Sequence, residues 1–217
     1  MLNEKPKSNL NFISCKHQLE ICKNYKIYIS VLLLVITYST LFIFWDLLTQ
    51  YDTAFFLEIC EDRIPAIESF FILWTNGGTS IFIFFIVVFL WLKGEKRPAI
   101  YLALGLIVDT FLVYTLKTMI HRPRPYEGLS IMPLELVDNF RSLPSGHTST
   151  AFLSAVILSK FYGKYMAVFF VIAASIGFSR VYIGVHYPLD VIVGAITGSL
   201  VGILMVDLLD RFDYSRK

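Results

Sequence analysis

Residues 98–116, PAIYLALGLIVDTFLVYTL, form an apolar block that carries one charged side chain, Asp109. An α-helix needs about 20 apolar residues to cross the hydrocarbon core of a bilayer. Every backbone amide in lipid must also find its hydrogen-bond partner within the segment, which favours a helix. Other blocks of the chain share this character, and the predicted spans are 27–48, 76–92, 98–116, 148–163, 165–183 and 188–208.

The composition agrees with a chain that is embedded in lipid. Of its 217 residues 56% are hydrophobic and 17% are charged, whereas soluble domains carry about 25% charged residues. The net charge of +2 is too small to indicate a nucleic-acid partner. We therefore expect an all-α polytopic membrane protein, a bundle of about six transmembrane helices. Its predicted parts are a polar N-terminal segment 1–26, an integral-membrane domain 27–210 and a tail 211–217.

The distribution of Lys and Arg predicts the orientation of this bundle. Six spans place both termini on one side, and basic residues accumulate on the cytoplasmic side. Most of the 19 basic residues fall in the N-terminal segment, in the turn KGEKRP at 93–98, at Lys160 and Lys164, and in the tail. We expect these regions to be cytoplasmic, and the remaining loops to face outward.

Segment 49–75 is rich in carboxylates and is predicted to be an outer loop. Within it the stretch PAIESFFILW, residues 65–74, is amphipathic. Such a stretch either lies along the membrane interface or packs on the protein as a short helix.

Two further outer loops, 117–147 and 179–190, carry basic residues on the side that topology disfavours, and charge in such a place indicates function. The first loop begins with KTMIHRPRP at 117–125 and ends with PSGH at 144–147. The second loop reads SRVYIGVHYPLD at 179–190. Both loops leave the bundle on the same face, so helix packing can bring them together at the outer membrane–water interface.

The residue types in these loops predict a phosphate-binding site. Lys117, Arg124 and Arg180 supply positive charge and N–H donors, and the planar fork of arginine matches two phosphate oxygens. The Ser145 hydroxyl and the Gly146 amide, at a helix N-terminus, can donate to the same oxygens. Phosphoryl transfer depends mainly on positioning and charge neutralisation, which such a cradle provides.

Two histidines match the two remaining tasks of this chemistry, attack on phosphorus and protonation of the leaving oxygen. Asp190 follows His186 by four residues and can orient one ring nitrogen, leaving the other to attack. We therefore predict His186 as the nucleophile, Asp190 as the residue that orients it, and His147 as the general acid.

Taken together, the three motifs resemble the signature of the type 2 phosphatidic acid phosphatase superfamily, which includes lipid phosphate phosphatases and vanadium haloperoxidases. The matching patterns are Lys-x6-Arg-Pro at 117–125, Pro-Ser-Gly-His at 144–147 and Ser-Arg-x5-His-x3-Asp at 179–190. The resemblance covers about residues 76–208, including TNGGTS at 75–80. It implies a phosphohistidine intermediate, an outward-facing site, and no metal or other cofactor.

Three nearby residues keep alternative roles. The doubled RPRP allows Arg122 to be a second phosphate ligand or a contact to the lipid headgroup. Asp109, two helical turns before Lys117, either pairs with that lysine or makes a polar packing contact. His121 is expected to be a loop residue without a catalytic role.

Other functions fit the sequence less well. A transporter would tend to show inverted repeats and charges in the middle of its spans. A lipid phosphotransferase of the sphingomyelin-synthase type shares the two histidines and the aspartate, but lacks a clear Lys-x6-Arg-Pro element. The predicted partner is a membrane lipid phosphate, either a polyprenyl diphosphate, phosphatidylglycerol phosphate, phosphatidate or a lipid A-type glycolipid. Loop 126–143 is expected to roof the site, and the three cysteines, Cys15, Cys22 and Cys60, to be free thiols.

Overall fold

The computed structural model describes residues 8–75, 80–129, 132–134 and 141–215. Within these ranges the chain is helical and contains no β-strand. The α-helices, in chain order, are α1 (Ser8–Ile43), α2 (Trp45–Glu61), α3 (Pro65–Thr75), α4 (Ser80–Leu92), α5 (Lys96–Ile120), α6 (Pro125–Gly128), α7 (Gly146–Phe161), α8 (Met166–Tyr182) and α9 (Pro188–Ser215).

Within the described residues the apolar blocks of the sequence become helices, which confirms an all-α, multi-pass membrane protein. Four helical segments of the described chain are long and apolar enough to cross a bilayer, and they are Tyr25–Ile43, Lys96–Gly128, Gly163–Tyr182 and Pro188–Phe212. The predicted spans at 76–92 and 148–163 correspond to the shorter helices α4, of 13 residues, and α7, of 16 residues.

Helix α7 occupies the centre of the bundle, where it packs against α5, α8 and α9. Its buried face consists largely of small and hydroxylated side chains, among them Thr148, Ser149, Thr150, Ala151 and Ser154. Because protein covers much of α7, the non-helical residues that flank this short helix can lie at membrane depth without facing the hydrocarbon.

Helices α7 and α9 approach each other closely because α9 presents glycine to α7. A Cβ atom at Gly198 would lie 1.9 Å from the carbonyl oxygen of Ser149, and one at Gly194 would lie 2.6 Å from that of Ser145. Small residues spaced by four are a known device for close helix packing in membranes. This contact holds the PSGH segment against the start of α9.

Segment 49–75, predicted to be an outer loop, forms helices α2 and α3, and the side of the membrane on which it lies stays a prediction. Apolar side chains of α2, including Trp45, Leu48 and Phe56, recur at helical spacing and join two clusters of the core. Helix α3 packs on α8, with the Phe71 and Tyr182 ring centroids 4.4 Å apart. PAIESFFILW therefore forms the short packed helix, the second of its two alternatives.

The predicted N-terminal segment and the predicted tail both contain helical residues. Helix α1 begins within the segment predicted to be polar and N-terminal, and α9 runs on into the predicted tail. Residues 76–79 of TNGGTS, together with 130–131 and 135–140 of loop 126–143, lie outside the described residues. The domain boundaries predicted at residues 26 and 210 stay predictions.

The alternating direction of the helices brings the three motifs to one end of the bundle. This end collects the last turn of α5, the first turn of α7, the last turn of α8 and the first turn of α9. We call it the motif end, and we call the opposite end, formed by the start of α5 and the end of α9, the distal end.

Candidate active site

The first motif lies where α5 stops. His121 ends the helix in a left-handed conformation with φ of 55°, and Pro123 and Pro125 prevent its continuation. In the last turn Lys117 is buried, and its Nζ donates to the carbonyl oxygens of Arg141 (2.5 Å) and Ser142 (3.2 Å). The lysine therefore ties the first motif to the segment that leads into PSGH.

A tight turn between α8 and α9 brings Arg180 and His186 together. Gly184 supplies the positive φ of 84° that this turn requires. The amides of Val185 and His186 then point back to the carbonyl oxygen of Arg180, each at 3.3 Å. Arg180 itself is buried, and its Nη1 donates to Thr75 Oγ1 of α3 at 2.9 Å.

His186 is held on its Nδ1 side by Asp190 and Ser142. Its Nδ1 lies 3.5 Å from Asp190 Oδ2 and 3.3 Å from Ser142 Oγ. The Ser142 hydroxyl also donates to Asp190 Oδ2, as does the Tyr187 amide at 2.9 Å. His186 and Asp190 are 2% and 0% exposed, so this arrangement is shielded from solvent.

The opposite ring nitrogen, His186 Nε2, faces the cationic side of the site. Arg124 Nη1 lies 3.4 Å from it and donates to the Val185 carbonyl oxygen at 2.8 Å. The imidazole therefore points its Nε2 toward positive charge, where a phosphate would be held.

The PSGH motif joins the same site through the backbone. The Ser145 amide donates to the Asp190 carbonyl oxygen at 2.9 Å, and the Ser145 hydroxyl accepts from Thr148 Oγ1 at 3.0 Å. Ser145 is the N-cap of α7, and Gly146 is its first residue. His147, in the first turn, is half-buried, unlike the fully buried His186.

The electrostatics of the site favour neutral histidines in the absence of substrate. Burial, reinforced by the charges of Arg180, Lys117 and Arg124, lowers the pKa of His147 to about 3. Burial also lowers the pKa of His186 well below its usual range, although the hydrogen bond and charge of Asp190 oppose this shift. Such a site is electropositive before any anion binds.

The structure also shows the surroundings of the three residues for which the sequence analysis left alternative roles. The two terminal nitrogens of Arg122 contact Asp190 Oδ1 and Asp52 Oδ2. Asp109 accepts hydrogen bonds from Ser149 and Thr150 of α7, the polar packing contact of its two alternatives. His121 is exposed at the end of α5, as expected.

The site contains residues that the sequence analysis did not single out, namely Asp52, Thr75 and Ser142. A signal for Asp52 exists, because it lies in the apolar stripe formed by Trp45, Leu48 and Phe56 at helical spacing. Throughout the described ranges, no group of three or more His, Cys, Asp or Glu side chains could hold a metal ion.

A family model and a curated relative match this chain. The model of the PAP2 superfamily matches residues 98–213, which include all three motifs. A lipid A 1-phosphatase of Rhizobium etli is 30% identical over 169 residues, covering 66% of this chain and 72% of the relative.

Two solved structures share the fold. The crystal structure of Aquifex aeolicus LpxE superposes with a TM-score of 0.65 at 36% identity, covering 70% of this chain and 93% of that chain. The transmembrane PAP2-type phosphatidylglycerolphosphate phosphatase of Bacillus subtilis gives a TM-score of 0.71 at 26% identity, covering 89% and 98%.

Proposed function

This chain belongs to the PAP2 superfamily and is a membrane lipid phosphate phosphatase, and we propose that it works through a phosphohistidine on His186. The observation that carries this proposal is the orientation of the His186 ring. Its Nδ1 side contacts Ser142 and Asp190, while its Nε2 faces Arg124.

In the first half-reaction, His186 Nε2 attacks the phosphorus atom of the lipid phosphate. A bond forms between nitrogen and phosphorus, and the bond from phosphorus to the lipid oxygen breaks. Lys117, Arg124 and Arg180 neutralise the charge on the non-bridging oxygens, assisted by the Ser145 hydroxyl and the Gly146 amide. His147, which is half-buried and therefore accessible to substrate, takes a proton from the bound phosphate monoanion and gives it to the leaving oxygen.

In the second half-reaction, water attacks the phosphohistidine. His147, now neutral, takes one proton from the water, and its oxygen forms the new bond to phosphorus while the bond to Nε2 breaks. His147 then returns this proton to the departing inorganic phosphate and is neutral again for the next cycle. The negative charge of Asp190 stabilises the positive His186 ring in the intermediate.

We propose that the motif end faces outward and that the termini are cytoplasmic. The distribution of basic residues supports this orientation, because Lys93, Lys96, Lys160 and Lys164 belong to the distal end. A cysteine introduced at position 128 should react with an impermeant reagent in intact cells. Labelling only after lysis would overturn this orientation.

The substrate class is a lipid with a phosphate ester or anhydride at headgroup level. Of the relatives named above, the Rhizobium etli protein acts on lipid A and the Bacillus subtilis protein acts on phosphatidylglycerolphosphate. Both lipids, like polyprenyl diphosphate and phosphatidate, carry a phosphate at headgroup level that Lys117, Arg124 and Arg180 would bind. We propose that loop 126–143 selects among these headgroups.

A phosphate-release assay with purified protein in detergent tests the function. The panel contains polyprenyl diphosphate, phosphatidylglycerol phosphate, phosphatidate and a lipid A-type glycolipid. At least one lipid should release phosphate, vanadate should inhibit, and EDTA should leave the rate unchanged. Loss of turnover with EDTA and its return with a divalent cation would contradict the mechanism.

A further inference from the structure

We propose that Asp52 and Arg122 are positioning residues that fix the Asp190 carboxylate, and through it the His186 ring, for attack on phosphorus. This inference rests on the proposed function and assigns a role to two residues outside the three motifs. Arg122 lies between two carboxylates that are far apart in sequence. Its Nη1 donates to Asp190 Oδ1 at 2.7 Å, and its Nη2 donates to Asp52 Oδ2 at 2.6 Å.

The two oxygens of Asp190 have separate partners. Oδ1 receives the Arg122 guanidinium, whereas Oδ2 receives the Ser142 hydroxyl and the Tyr187 amide and faces His186 Nδ1. Arg122 therefore fixes the rotation of the carboxylate about its Cβ–Cγ bond. With that rotation fixed, Oδ2 is the oxygen that orients the imidazole.

Asp52 holds the other side of Arg122 and also reaches the same helix end directly. Its Oδ1 accepts the Leu189 amide at 2.7 Å, in the first turn of α9. Asp52 thus contacts the neighbourhood of Asp190 by two routes, through Arg122 and through the Leu189 amide. A carboxylate on α2 consequently anchors a helix start that contains the catalytic aspartate.

Aromatic rings and burial complete the placement of Arg122. Its guanidinium carbon lies 4.1 Å from the Tyr187 ring centroid and 5.6 Å from that of Trp45. The side chains of Arg122, Asp52 and Asp190 are 4%, 4% and 0% exposed. Buried charges of this kind cost energy to desolvate and keep their geometry only when all partners are present.

This geometry distinguishes Arg122 from a phosphate ligand. Both of its terminal nitrogens contact carboxylates, so the fork that would match two phosphate oxygens is already engaged. Arg124, two residues later, instead approaches His186 Nε2. The two arginines of RPRP therefore have different tasks, with Arg124 on the phosphate side and Arg122 behind the aspartate.

Single-turnover measurement of phosphohistidine formation tests the inference, with a lipid that wild-type protein hydrolyses. The amplitude counts folded sites, whereas the rate constant reports the positioning of His186 within them. Asp52→Asn should lower the rate constant by about 10- to 100-fold, because small misplacements of reacting groups have effects of this size. The KM should change by less than about threefold, since the phosphate cradle is intact.

Arg122→Lys keeps the positive charge but cannot bridge two carboxylates with one planar fork. We expect a loss of rate constant similar to that of Asp52→Asn, and the double variant should lose little more than either single one. If Asp52→Asn yields no folded protein, the rate constant of Arg122→Lys tests the inference in its place. The matched control is Glu58→Gln, an exposed carboxylate on the same helix, which should keep the wild-type rate constant.

The outcomes separate the two proposals. A wild-type protein that hydrolyses no lipid of the panel contradicts the proposed function. If the wild-type protein is active and both Asp52→Asn and Arg122→Lys form phosphohistidine with the wild-type rate constant, the positioning role is overturned. A reduced amplitude at an unchanged rate constant overturns it too, because that pattern belongs to a purely structural role. A large rise in KM for Arg122→Lys would instead make Arg122 a phosphate ligand.

Discussion

The two ends of the bundle carry charge in opposite ways. At the motif end Lys117, Arg122, Arg180 and Asp190 are all less than 10% exposed and meet partners from several helices. At the distal end, by contrast, the Lys160–Asp210 pair has side chains that are 41% and 37% exposed. Removing one member of a buried pair leaves an uncompensated charge, whereas exposed pairs contribute about 0–1 kcal/mol. The difference indicates that the motif end holds its charged side chains in fixed positions at a cost in folding stability.

The largest effect should come from the nucleophile. We expect His186→Ala to abolish both turnover and the trapped phosphoenzyme, because it removes the ring nitrogen that lies 3.4 Å from Arg124 Nη1. Protein labelled from a ³²P-labelled lipid and quenched in alkaline detergent, in which the P–N bond of a phosphohistidine survives, measures the trap. The change would contradict our assignment if His186→Ala kept a label and His147→Ala lost it, since that pattern exchanges the two roles.

The second effect separates the two histidines. We expect His147→Ala to lower turnover of a lipid phosphate by roughly 10²- to 10⁴-fold, the usual contribution of a general acid. The loss should shrink with an activated aryl phosphate, whose leaving group needs no proton, while His186→Ala stays inactive with it. Equal losses with both substrates would contradict a role for His147 in proton donation.

The pH dependence of kcat/KM should show where the catalytic proton originates. Burial and three neighbouring cations lower the pKa of His147 to about 3, so the free protein holds it neutral at pH 7. The proton must then arrive with the phosphate monoanion, whose second pKa is about 6. We therefore expect kcat/KM to fall about tenfold per pH unit above that value, as the dianion replaces the monoanion.

A series of phosphates with different second pKa values provides the control for this profile. The alkaline limb should move with the pKa of the substrate. A limb that stays at one pH for every substrate would place the proton on the protein and contradict the prediction. Lys160→Gln, at the distal end, should leave the limb unchanged.

Between the two ends, the close contact of α7 and α9 should govern stability rather than chemistry. Gly198→Ala places a methyl group where the Ser149 carbonyl oxygen lies 1.9 Å away, so the helices must separate. We expect a loss of about 1–3 kcal/mol, typical of overpacking, read as a lower thermal midpoint in detergent. Gly163→Ala is the matched control, since no atom lies within 4 Å of its Cβ position.

The sequence predicted the parts of this molecule that depend on local pattern. Apolar blocks predicted helices, and the three motifs predicted residues that the fold brings to one end. It did not predict helix α2, because several carboxylates made 49–61 resemble a solvated loop. The contacts of Asp52 reach Arg122 and Leu189, 70 and 137 positions away, and no local pattern encodes such distances.

Two missed features did have a local signal. An acidic residue inside the apolar stripe of α2 indicates a buried carboxylate that needs a partner. The spacing of Gly194, Gly198 and Gly202 indicates a close helix contact in a membrane. Neither signal names the partner, so the packing of α2 and α9 had to come from the structure.

The smallest effect is expected at the distal end, where the charged side chains are exposed. Lys160→Gln removes a pair that solvent already screens, and Asp210 keeps the hydrogen bond from Tyr101 at 3.0 Å. We therefore expect a stability change below about 1 kcal/mol and an unchanged rate of phosphohistidine formation. The thermal midpoint and single-turnover rate constant measure these two quantities. A loss of rate comparable to that of Asp52→Asn would show that the two ends are coupled, and the division drawn between them would be wrong.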